Sequence, residues 1–130
     1  MGSIATYQQV SVKEGILAHP EKALAKSIDL WEKLAAVLGP LIGQRDFDRL
    51  FFRSLHLSNL RIYQINVRHS HTDSRPYRKL ESLFVGQSVE VGNHGSVALL
   101  NSFIDILVLL LGERLTSKIL DQAWSDIQQT

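Results

Sequence analysis

The sequence predicts an all-α protein, a bundle of five or six helices built from two similar helical hairpins. Three observations carry this expectation. Apolar residues recur at spacings of three and four through most of the chain, the period of an amphipathic helix. Gly43, Gly86 and Gly112 each follow an apolar run, where helices commonly stop. The phrase "LIGQRDFDRLFF" at 41–52 returns as "LLGERLTSKILD" at 110–121, so a helix, a glycine and a second helix are written twice.

The organisation follows in chain order. Residues 1–18 have weak periodicity and are expected to form an N-terminal arm, with at most a short helical piece near Val10 to Leu17; residues 19–130 form a single helical domain. Pro20 and Glu21 are residues that suit a first helical turn, with His19 near the cap. Leu24, Ile28, Trp31, Ala35, Leu38 and Ile42 then mark one buried stripe. Pro40 should loosen the last turn before Gly43 ends it. Asp46 and Asp48 suit the start of a second helix, whose core face carries Phe47, Leu50, Phe51, Ser54, Leu55 and Ser58, with Leu57 and Leu60 widening the stripe.

"RIYQINVR" is read as a continuing helix, and "HSHTDSRP" at 69–76 as a polar loop. A short helix with Tyr77, Leu80, Leu83 and Phe84 closes at Gly86. Gly92, Asn93 and Gly95 read as a loop, with Ser96 capping a central helix that ends at Gly112. The apolar run Val97 to Leu111 falls short of the ~20 residues of a membrane span and is read as a buried helix. The last helix is expected from Thr116 to about Gln128.

A chain of 130 residues can bury about 65–70% of its unfolded surface without staples. With 45% apolar and 21% charged residues it reads as soluble and globular. A net charge of +1 argues against a general polyanion binder, and the absence of cysteine removes disulfides, thiolate zinc sites and a cysteine nucleophile. The opening residues lack the pattern of a secretory signal, so cytoplasm is the expected location, and no membrane association is expected.

A shift of 69 residues sets Leu34, Leu38, Leu41, Gly43 and Arg45 against Phe103, Leu107, Leu110, Gly112 and Arg114, then Phe51 against Leu120. This register implies approximate internal two-fold character. The blocks "LWEKLAAVLGPLIGQRDFDRLFFRSLHL" and "VALLNSFIDILVLLLGERLTSKILDQAW" resemble small uncharacterised all-helical bacterial proteins with two helix-glycine-helix blocks, of pattern LW-x-x-L…LIG…F-x-x-L-x-x-RSL-x-L and LL…F-x-x-L…LIGE-x-LT…L…AW. The resemblance implies a fold and no activity. "LLLGERLT" has leucine where that pattern has isoleucine before glycine.

Several residues invite a chemical reading. His69, His71 and Asp73 could ligate a metal if the backbone converged them, but a solvated loop is the favoured reading, and no cofactor is expected. Arg61, Arg68, Arg75 and Arg78 make the middle segment locally basic without any nucleic-acid motif, so nucleic acid is not the expected partner. Asn101 and Asp105 share one side of the central helix, and are expected to be a buried polar pair or to line a ligand pocket, with Arg49, Arg53, Arg114 or His56 as partners. His56 itself reads as a core or boundary residue. Arg45 and Arg114 are expected beside helix-terminal carbonyls. Catalysis has no positive support: no phosphate loop, dinucleotide fingerprint, metalloprotease helix or serine elbow appears.

The favoured function is a non-enzymatic helical interaction module that forms a homodimer. The alternative is a sensor of a small ligand or metal, using the histidine loop or an internal pocket. Phe51 and Phe52 are adjacent and cannot share one narrow stripe, so one should sit at the core's edge. The interface candidates are accordingly Phe52, Leu57 and Leu60 on the second helix, and Tyr77 and Phe84 beyond it.

Overall fold

The structure, a computed structural model, describes residues 14–58, 77 and 88–128. Four helices make up most of it: α1 (Ala23–Ile42), α2 (Gln44–Leu57), α3 (Val89–Leu111) and α4 (Glu113–Gln128). A 3-10 turn at Pro20–Lys22 leads into α1, and residues 14–17 form a helical turn before it. No strand occurs among the described residues, so the protein is an all-α bundle. Ile16 is buried in the core, which the packed unit therefore reaches before residue 19.

The two glycine junctions share one conformation. Gly43 has φ 92° and ψ 151°, and Gly112 has φ 86° and ψ 162°, a region that essentially only glycine occupies. Each closes one helix and opens the next. Gly43 donates its N–H to the carbonyl of Gly39 at 2.7 Å, and its own carbonyl accepts from Phe47 at 3.1 Å. Gly112 donates to Val108 at 2.9 Å and accepts from Thr116 at 3.1 Å. One residue thus makes each corner, and α2 and α4 start at Gln44 and Glu113, earlier than the acidic and threonine signals suggested.

Burial repeats in the same register. Leu34 and Phe103, Leu38 and Leu107, Phe47 and Thr116, and Phe51 and Leu120 are all buried, and so are the serines at equivalent positions, Ser27 and Ser96. Exchanging the two helix-glycine-helix units carries α1 onto α3 and α2 onto α4. The packing agrees: α1 lies chiefly against α4 and α2 chiefly against α3, while α1 and α3 also meet.

On α1 the buried face is rotated from the expected stripe. Ala23, Ser27, Leu30 and Leu34 join Trp31, Ala35 and Leu38 inside, while Leu24, Ile28 and Ile42 are half-buried. Small side chains allow close approach of neighbouring helices, and a serine in that row hides the true face from a hydrophobic pattern. Pro40 is carried within the helix two residues before its end. The carbonyl it leaves without a helical donor belongs to Ala36, an exposed residue, so the loss falls at the surface.

The reading of 92–95 as a loop is corrected. Ser88 caps α3 by accepting the Val91 N–H at 3.1 Å, and Gly92, Asn93 and Gly95 lie inside the first turns. Gly92 and Asn93 are buried, Gly92 at the position equivalent to Ala23, where a small residue recurs. Ser96 is no cap; its hydroxyl donates back to the Gly92 carbonyl at 2.9 Å. With 23 residues, α3 is long and apolar enough to cross a membrane by length and composition alone, while its inner face, Ser96, Leu100, Phe103 and Leu107 included, is packed in the bundle.

Trp31 is the centre of the core. Its ring meets Phe47, Phe51 and Phe103 edge-on at 6.2, 5.0 and 4.9 Å and stacks on Tyr77 at 6.2 Å. Trp124 ties α4 to α1 by donating its indole N–H to the Leu30 carbonyl at 3.0 Å, at a point where α4 departs from helical geometry.

Ser27 offers a test of these polar groups. Its hydroxyl is buried and has no hydrogen-bond partner among the described residues, whereas the hydroxyl of Ser96 is bonded. Ser27→Ala is expected to raise stability by about 1 kcal/mol, from relief of the unpaired hydroxyl and better helix propensity, and Ser96→Ala by less. Urea denaturation checks this; a loss on Ser27→Ala would mean that the hydroxyl has a partner, such as a buried water.

Candidate interaction surface

The aromatic face of α2 fixes the edge of the core. Phe51 is fully buried, and Phe52 is half-buried against it, ring edge to ring face at 6.0 Å. Leu57, near the C-terminal end of α2, is 50% exposed. Leu60 and Phe84 lie outside the described residues, as do His69, His71 and Asp73. Among the described residues no group of three or more His, Asp or Glu side chains could hold a metal ion.

Tyr77 is corrected from an interface candidate to a core residue. It is fully buried, stacked on Trp31 and edge-on to Phe47 at 6.1 Å. A tyrosine ring brings a large apolar area, and this one is spent inside the aromatic cluster rather than on a partner.

The expected buried polar pair is corrected as well. Asp105 is exposed and Asn101 half-buried, because the core face of α3 runs through Ser96, Leu100, Phe103 and Leu107, and position 105 falls on the opposite side. His56 is exposed in place of the core or boundary position read from its spacing. It shares the outer side of α2 with Arg45, Arg49 and Arg53, which are exposed too. Arg45 and Arg114 are exposed and stand two residues past the glycines that close α1 and α3.

Two features of the surface escaped the sequence pattern. The first is a set of exposed leucines at the corners. Leu41 and Leu110 continue the buried rows Leu34–Leu38 and Phe103–Leu107, yet they are 65% and 62% exposed. They overhang the core at equivalent places. At the Gly112 corner Leu109 and Leu115 are exposed as well, at 85% and 46%, giving three exposed leucines within seven residues of chain. The repeat made these positions visible, but spacing alone assigns them to the core.

The second is charge. Among the described residues the row Arg45, Arg49, Arg53 on α2 has one ion pair, Arg49 to Asp46 at 3.8 Å, between side chains 72% and 60% exposed. Such a pair contributes little. Along α4 a cleft of about 450 Å³ has Glu113, Arg114, Ser117, Lys118 and Asp121 in its described lining, two acids against two bases. The charges of these residues balance.

Comparison with family models, curated proteins and solved structures found no match to this chain.

Proposed function

We propose that the protein is a non-enzymatic helical interaction module that self-associates, with the α3–α4 corner as the contact surface. The observation that supports this reading is the exposure of Leu109, Leu110 and Leu115 around Gly112, three large apolar side chains within seven residues. Clustered apolar side chains on a stable surface mark contacts with other molecules. A two-fold dimer sets one patch against its copy. That requirement disfavours α2 as the dimer face, because its copies would bring Arg45, Arg49 and Arg53 against one another.

Sedimentation at micromolar concentration tests the reading. Wild type is expected as a dimer, and the double variant Leu109→Asp, Leu110→Asp as a monomer with unchanged helical circular dichroism. Both side chains are exposed, so neither change empties the core. A strictly monomeric wild type removes self-association from the proposal.

A further inference from the structure

The outer face of α2 is a second surface with a different chemistry. Arg45, Arg49, Arg53 and His56 are spaced by four, four and three residues and form one exposed row. At 1.5 Å per residue the row is about 16 Å long. Arg45, Arg53 and His56 have no ion-pair partner among the described residues. Like charges four apart on a helix repel, so the free protein carries this row at a cost.

Each margin of the row carries one apolar side chain, with Asp46 and Asp48 on the same helix. Leu57 lies one turn beyond Arg53 on one side and Phe52 one turn before His56 on the other, half-exposed and half-buried respectively. A small anion would meet only one or two of the arginines. A nucleic-acid backbone gains from continuous positive charge, but Asp46 and Asp48 stand on the same helix and the chain carries only +1 overall. Such a backbone also makes no use of a leucine and a phenylalanine beside the cations.

We propose that this face docks an acidic amphipathic helix of another protein. Carboxylates at four-residue spacing would lie over Arg45, Arg49 and Arg53, whose guanidinium groups can pair with them bidentately, and apolar side chains would cover Phe52 and Leu57. The inference rests on reading the chain as an interaction module and is independent of its self-association.

The test uses the full chain and a fluorescein-labelled helical peptide with glutamate at every fourth position and leucines beside them, followed by anisotropy. Saturable binding that weakens with salt is expected. Arg49→Glu, Arg53→Glu should lower affinity by roughly tenfold or more, with circular dichroism unchanged, while Lys118→Glu on α4 should not. The monomeric Leu109→Asp, Leu110→Asp variant should bind the peptide as wild type does, which separates failure of docking from failure of self-association. No binding, or equal binding by the arginine variant, overturns the proposal. A mixed-sequence single-stranded oligonucleotide that binds more tightly than the peptide overturns it in favour of nucleic acid.

Discussion

Trp31→Ala is expected to cost about 3–5 kcal/mol, the range for deleting a large buried aromatic side chain, and to fall at its upper end. Trp31 has no exposed surface, and its ring touches rings from α2, from α3 and from Tyr77. Each favourable aromatic pair adds about 0.5–1.5 kcal/mol beyond burial, and the alanine variant loses four of them at once. Helices α1, α2 and α3 would then face a shared void that none can fill alone. Against a total stability of about 5–15 kcal/mol this loss removes from roughly a third to all of what holds the bundle folded.

Trp31→Phe refines the expectation. It keeps a ring in the cluster and removes the indole N–H, which is buried and has no hydrogen-bond partner among the described residues. Its cost should therefore be less than half that of alanine. Urea denaturation of both variants measures the difference; a Trp31→Ala cost below about 1 kcal/mol would show that the bundle is organised elsewhere.

What the sequence made legible was whatever repeats with the helical period and is closed by glycine. The all-α class, Phe47, Phe51 and Leu55 inside α2, and the equivalence of Gly43 with Gly112 were all readable, because each follows from spacing in one segment. The misreadings have distinct physical causes. Gly92, Asn93 and Gly95 looked like a loop by local propensity, but Ser88 caps the helix earlier, and small buried residues suit that position. Ser27 belongs to the inner face of α1 although a polar residue argues against it.

Surface features were harder to read, since exposure depends on where neighbouring helices end. Leu110 has the spacing of a core residue and lacks only a neighbour to cover it. The outer row of α2 had the opposite problem: Arg49, Arg53 and His56 invited pairing with Asp105, and nothing in one helix's pattern shows that they and Asp105 both face solvent.

Gly43→Ala and Gly112→Ala are each expected to destabilise the protein by about 1–3 kcal/mol, although both positions have room for a methyl group. Among the described residues no atom lies within 4 Å of the Cβ that alanine would add at either glycine. The cost is therefore one of backbone conformation: at φ 92° and 86° with ψ near the extended range, an L-residue is strained whatever surrounds it. Gly39→Ala supplies the control. It too has open space around its Cβ, but it sits inside α1, and its equivalent in the other unit is Val108, which shows that the position accepts a side chain. That variant should gain about 0.5–1 kcal/mol. Opposite signs for Gly39→Ala and Gly43→Ala in denaturant unfolding would isolate the corner conformation as the cause. The two corner losses should add if the corners act independently. Gly112→Ala carries a further consequence, since this corner sets the relative placement of Leu109, Leu110 and Leu115. A folded Gly112→Ala protein is expected to sediment with a weaker dimer than Gly43→Ala of matched stability. Equal dimer strength in the two variants would detach the contact surface from the α3–α4 corner.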